Sequence, residues 1–323
     1  AEGGIRLFAQ DPIPAATHTA NQYPDNPRGY FVAHDGYFVA PMTPSEHGCQ
    51  DAAQAGQILF VGDSFTEGVG VRTADTLSSR LHFPNHQRRN CGLSAQNLGG
   101  VHRSLVQQAA RPKVTIYGLV LNDIASDPTP GAAQYSLDVG LMPCPFVKVL
   151  NTVSADDRIV VQPRQLHQWY ETRREDWGAW SFLLHAELVS YFYKRSLRAD
   201  LAEHMDAWYR DCWAPSERLN RALDTVADMK KHTGHLLVVL WPLFVELEDY
   251  PFPEIHSQIS AGLRARGVEV LDLLPTFEGQ DTQDMAVHNQ DRHPNEVAHG
   301  LAAEAVAARL NQLDWVRAEL STR

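Results

Sequence analysis

Short apolar runs alternate with amphipathic segments over two stretches of this chain. Ile58-Leu59-Phe60-Val61 is apolar on both faces of an extended chain and closes at Gly62, the pattern of a buried parallel strand over 57–61. Similar runs predict strands over 114–121, 236–241 and 268–273, and 88–93 is read as a further strand between helical segments. Between them lie segments with helical spacing of apolar positions, over 76–81, 97–110, 255–266 and 295–310. The helix over 97–110 ends before Pro112, and Pro294 is a helix-initiating residue for the last one. Strands alternating with helices predict a mostly parallel sheet covered on both faces, an α/β/α sandwich.

The alternation stops between Asp123 and Leu236. Ser216 caps a crossover helix over 216–232 that leads into the fourth strand. The remainder, about 124–214, is read as a helical insertion after the third strand, carrying Trp169, Tyr170, Trp177, Trp180, Tyr191, Trp208, Tyr209 and Trp213 among its aromatics. Insertions after strand C-termini sit over the ligand crevice of an open α/β sheet. An aromatic mini-core and a lid or cleft wall are both open readings. Residues 1–55 are rich in Pro, Gly, Asn and His, and are expected as an extended segment packed on the core, with a short strand near Tyr37–Val39.

Composition changes the picture in one direction. The chain has 323 residues, enough for a sizeable core, and a formal net charge of −11. A nucleic-acid partner or an anionic membrane surface is not expected, because neither basic surface nor counterion release is on offer. No apolar run is long enough to span a bilayer. Cys49, Cys91, Cys144 and Cys212 are widely spaced; without a C-x-x-C pair they do not suggest structural zinc. Two disulfides or four thiols remain open. The chain opens on Ala1-Glu2-Gly3, so an upstream signal or membrane anchor absent from this sequence is an expectation.

The first strand runs directly into Gly62-Asp63-Ser64 and a Gly-rich turn. A serine there sits at the C-terminal edge of the sheet, where ligands bind, beside backbone N–H groups that can hold an oxyanion. Near the chain's end stands Asp291-Arg292-His293-Pro294-Asn295. Pro294 stiffens the loop that carries His293. A serine hydroxyl is a weak nucleophile until a base takes its proton, and the base works best when a third group, here Asp291, orients it. Gly92 follows the second strand and Asn122 the third, each able to present an N–H donor at the same edge. His82, His86, His102 and His288 form no metal-ligand pattern, so no metal is expected.

This ordered set, Gly62-Asp63-Ser64, Gly92, Asn122-Asp123 and Asp291 with His293, resembles the SGNH hydrolase superfamily of GDSL esterases and lipases. The resemblance covers roughly residues 57–123 and 235–312. It implies a three-layer, flavodoxin-like sandwich and ester hydrolysis through an acyl-enzyme. It implies Ser64 as nucleophile, His293 as base, Asp291 as orienter, and Ser64, Gly92 and Asn122 as oxyanion donors, without a cofactor. The chain departs from the family pattern at Val120, where a glycine is usual, and at Gln290, where the Asp of an Asp-x-x-His block would stand. Asp291-x-His293 is the spacing of a polysaccharide O-acetyltransferase branch and of some bacterial esterases. Ala95 stands where a second glycine often follows, which leaves Asn97-Leu98-Gly99 as a rival to Gly92. The expected substrate is a glycan O-acyl ester or a small or lipid ester. O-acyl transfer to a glycan and non-catalytic ligand binding are the alternatives. The opening residues are similar to the stretch after an N-terminal anchor in bacterial members, implying an extracytoplasmic site.

Overall fold

A computed structural model describes residues 29–31, 39–41, 58–71, 73–83, 86–93, 96–108, 110–124, 206, 208–288 and 291–319. For residues 29–31, 39–41, 73, 288, 291 and 317–319 it describes the backbone alone. Two compact units divide the chain. One comprises residues 1–18, 31–38 and 145–211, the other 19–30, 39–144 and 212–323. The expected N-terminal segment and the insertion over 124–214 lie for the most part outside the described residues. Within the first unit, Trp208 and Tyr209 are buried with ring centroids 4.6 Å apart.

Strands β1 (Gly29–Phe31) and β2 (Val39–Pro41) form a small two-stranded sheet. The main sheet contains β3 (Ile58–Gly62), β4 (Arg88–Asn90), β5 (Val114–Leu119), β6 (His235–Leu240) and β7 (Glu269–Asp272). Their order is β4-β3-β5-β6-β7 and every pairing is parallel. All five overlap the ranges expected for them. Residues 58–61 of β3 and 236–240 of β6 are almost wholly buried, as continuous apolar runs require in a sheet covered on both faces.

The helices follow from right-handed crossovers. After α1 (Ser64–Glu67), the leftward step from β3 to β4 carries α2 (Leu77–Arg80). The rightward steps carry α3 (Leu98–Val106), α4 (Glu217–Asp228) and α5 (Pro253–Ala265). These three pack side by side, while α6 (Leu274–Phe277), α7 (Thr282–Met285) and α8 (Glu296–Gln312) gather beside α2, with α9 (Asp314–Glu319) closing the chain. The result is the expected α/β/α layering. Caps match the sequence: Ser216 Oγ accepts from Leu219 N–H at 3.2 Å and Asn97 Oδ1 from Gly100 N–H at 2.9 Å. Asn97, in the block that rivals Gly92, caps α3.

Two expectations are corrected near the C-terminus. His293 does not sit on a loop. Ala286–His288 (β8) and Asp291–Pro294 (β9) form an antiparallel hairpin, and His293 is on its second strand. Pro294 ends that strand rather than starting α8. Asn295 is the cap, its Oδ1 accepting from Val297 N–H at 3.0 Å and Ala298 N–H at 3.1 Å. Among the described residues, no helix is long and apolar enough to cross a membrane.

On α8, His299 is fully buried, and its Nδ1 accepts from Leu77 N–H at 3.1 Å, tying α8 to α2. Burial, then the charges of Arg80 and His293, pushes its pKa down from 6.5 to about 3. The unfolded chain binds this proton more readily. The contribution to stability is therefore full above pH 6.5 and drains away as pH falls toward 3. His299→Gln keeps an acceptor and removes the titration. Urea unfolding across pH should show a shallower loss of stability between those values in the variant than in wild type. Equal slopes would contradict the buried, neutral histidine.

Candidate active site

The strand order reverses beside β3: β4 lies on one side and β5 on the other. At such a switch point the two crossovers leave in opposite directions and open a crevice at the C-terminal ends of the strands. Ser64 follows β3, Gly92 follows β4 and Asn122 follows β5, so three candidate residues share that edge.

Ser64 is the first residue of α1. Asp63 caps the helix, its Oδ1 accepting from Phe65 N–H at 2.9 Å. The helix is held close to the sheet by missing side chains. A Cβ on Gly62 would fall 2.2 Å from Thr66 Oγ1, and one on Gly118 would fall 2.3 Å from the same atom. Thr66 thus occupies the space of two absent side chains. Phe65 turns under the site, its ring 5.6 Å from that of His293, 5.8 Å from Phe244 and 6.0 Å from Trp241. Edge-on aromatic contacts of this kind favour one ring orientation.

His293 reaches the same place from the hairpin. Its Nε2 lies 2.9 Å from Ser64 Oγ, hydrogen-bonding distance, across 229 residues of sequence. Asn295 fixes the hairpin's exit: its Nδ2 donates to Asp284 O at 2.8 Å and Ala286 O at 3.2 Å, and its backbone N–H to Met285 O at 2.9 Å. The backbone of Asp291 opens β9, but its side chain lies outside the described residues.

Asn122 stands on a one-turn 3₁₀ helix, Leu121–Ile124, after β5. One hydrogen of its Nδ2 goes to Asp63 Oδ2 at 3.3 Å. The turn is braced from below by Asp123, whose Oδ2 accepts from Tyr117 Oη–H at 2.6 Å and Val120 N–H at 3.2 Å. Trp213 braces it from behind, donating from Nε1 to Leu121 O at 2.7 Å, and Gln258 Nε2 holds the Trp213 carbonyl at 2.6 Å. Burial pushes the carboxyl pKa of Asp63 and that of Asp123 above the usual range. The hydrogen bond from Phe65 N–H and the nearby His293 charge oppose this at Asp63, while the charge of Asp63 adds to it at Asp123.

Gly92 is at the same edge, but its N–H donates to Asn90 Oδ1 at 3.0 Å. Asn90 Nδ2 in turn donates to Thr66 O at 2.8 Å and Glu67 O at 3.4 Å. Asn90 thereby ties α1 to the loop after β4, a bracing role that sequence reading missed. A Cβ on Gly92 would fall 2.2 Å from Glu67 N and 2.6 Å from Thr66 C, so this position needs glycine for backbone approach. Its neighbour Cys91 and the buried Cys212 are both disulfide-bonded.

No family model matches the sequence, and no curated protein matches it. Solved structures do resemble it. A phospholipase A1 from Streptomyces albidoflavus NA297 is 14% identical, over 79% of this chain and 99% of that one, with a TM-score of 0.45. A lipolytic protein of the G-D-S-L family from Veillonella parvula DSM 2008 is 13% identical, over 80% and 100%, at 0.40. A catalytic mutant of an acetylxylan esterase from Geobacillus stearothermophilus is 11% identical, over 78% and 93%, also at 0.40.

Two glycine substitutions should separate close approach from ordinary helix propensity. Gly92→Ala must push α1 off the loop and should cost about 1–3 kcal/mol of stability. Gly300→Ala, inside α8, meets only the tip of Arg80 at 3.4 Å and should stabilise by about 0.5–1 kcal/mol. Thermal unfolding of both variants checks the opposite signs.

Proposed function

We propose that this protein is an SGNH-type serine esterase that hydrolyses carboxylic esters through an acyl-enzyme. The observation that carries the reading is the 2.9 Å approach of His293 Nε2 to Ser64 Oγ at the switch point of the sheet. A neutral imidazole at this distance can take the hydroxyl proton as Oγ attacks an ester carbonyl. The new C–O bond leaves an oxyanion. Ser64 N–H is one donor for it, since the first N–H groups of a helix have no intrahelical partner. The second hydrogen of Asn122 Nδ2 is the other. The tetrahedral intermediate collapses, the bond to the alkoxy group breaks, and His293 returns the proton to the departing alcohol. Water then repeats the sequence on the acyl-Ser64 ester, releasing the acid and restoring both residues.

In this reading Asp291 orients His293, from the spacing Asp291-x-His293. Gly92 contributes its N–H as a third donor only when Asn90 Oδ1 releases it. The substrate is a small, lipid or glycan-borne ester. The disulfide-bonded Cys91 and Cys212 support an oxidising compartment, periplasmic or extracellular.

Assay of aryl esters from acetate to long chain, with labelling by a fluorophosphonate probe, tests the reading. Wild type should hydrolyse at least one ester and take the label on Ser64. Ser64→Ala should lose both. Asn122→Ala should keep the label site and lose about 10²–10³ in kcat. Hydrolysis that survives in Ser64→Ala would refute the proposal. Acyl transfer to a glycan in preference to water would reassign the acceptor.

A further inference from the structure

Away from the switch point, α3 and the end of α4 bring together side chains that the sequence keeps far apart. His102 is on α3, Asp228 ends α4, and His232 closes the 3₁₀ turn Met229–His232 that leads into β6. The turn lies at the N-terminal end of β6, whereas the catalytic candidates lie at the C-terminal edge of the sheet. His102 Nε2 is 3.0 Å and His232 Nε2 is 3.5 Å from the same oxygen, Asp228 Oδ2. The three atoms all lie within 4.8 Å of one another. The imidazole rings of His102 and His232 stand at 83° with centroids 5.9 Å apart.

We infer that His102, Asp228 and His232 form a binding site for a divalent transition metal, with zinc the best fit. Two imidazole nitrogens and one carboxylate oxygen are the ligand set that zinc accepts, at about 2.0–2.1 Å. Ligands of a tetrahedral ion at that distance lie about 3.3 Å apart. The separations of 3.0 Å and 3.5 Å already bracket that edge, and the third is within 4.8 Å. Asp228 and His232 are four residues apart across the junction of α4 and the 3₁₀ turn, which brings both side chains to one place.

The surroundings suit an ion held from one side. The His102 side chain is 7% exposed, while those of Asp228 and His232 are 33% and 32% exposed. Water can therefore supply the fourth ligand. Asp228 Oδ1 is engaged by Lys231 Nζ at 2.5 Å, which leaves Oδ2 for single-oxygen ligation. The Lys231 charge opposes a second cation, so the site is expected to be weaker than a structural zinc centre of four protein ligands. Binding would displace the proton now shared between His102 Nε2 and Asp228 Oδ2, and would staple α3 to the entry of β6.

Titration of the intact protein with cobalt(II) and with zinc tests the site. One equivalent of cobalt should give visible d–d absorption of a four-coordinate ion, displaced by zinc, and zinc should raise Tm by several degrees. His232→Ala and Asp228→Asn, both at the surface, should lose the spectrum and the Tm response. His82→Ala, at an exposed histidine outside the cluster, should keep both. Absence of the spectrum in wild type, or an undiminished response in both cluster variants, would overturn the assignment.

Discussion

Everything in the candidate site depends on one contact, His293 Nε2 to Ser64 Oγ at 2.9 Å, between residues separated by 229 positions. No local preference can create it. The sheet must first fix Ser64 at the end of β3, and the last strand and helix must then return His293 to the same edge. Closing so long a loop is entropically unfavourable but only slowly length-dependent. The hairpin and the Asn295 cap therefore need only hold the final few residues. The core does the rest, since burying Phe65 against Trp241 and Phe244 ties both partners to one aromatic cluster.

The same economy explains the polar residues below the site. Asp63, Asn90, Asp123 and Trp213 each satisfy backbone or side-chain groups that would otherwise be buried without partners. An unmade hydrogen bond in such a place costs about 1–3 kcal/mol. Each one that is made also fixes a residue that faces the crevice. Asp63 caps the helix of Ser64 while holding Asn122. Asn90 holds the backbone of α1 while occupying Gly92. Trp213 carries the turn of Asn122, so at least one aromatic from the edge of the expected insertion belongs to the site's foundation.

The three central strands, β3, β5 and β6, were legible because parallel strands buried on both faces read as continuous apolar runs, while the edge strands β4 and β7 carry charged residues and were placed by the alternation with helices. The positions of Ser64 and Asn122 followed, since strand ends are where such a sheet presents chemistry. The β8–β9 hairpin was not legible. Ala286-Val287-His288 and Asp291-Arg292-His293-Pro294 are too short and too polar to show a period of two, and a proline reads as a break. Nor could the bracing by Asn90 be read, because it depends on which backbone carbonyls α1 turns toward it. The cluster of His102, Asp228 and His232 was hidden by distance: 126 residues separate His102 from Asp228. Only the packing of α3 on α4 closes that gap. Gly92 was found for one reason and kept for another. Its missing side chain is needed by the backbone of α1 whatever its N–H does.

The buried carboxylates raise a question of roles that geometry can answer. Asp63 lies close enough to His293 for each to feel the other's charge, and it could be taken for the acid that orients the base. Its oxygens are already used: Oδ1 accepts from Phe65 N–H and Oδ2 from Asn122 Nδ2. Asp63 and His293 interact through their charges. The charge of His293 favours the ionised form of Asp63. Burial works against that charge at Asp63, and Asp123 beside it resists a second one. The spacing of Asp291 to His293 on β9 makes Asp291 the residue to examine as the orienting acceptor.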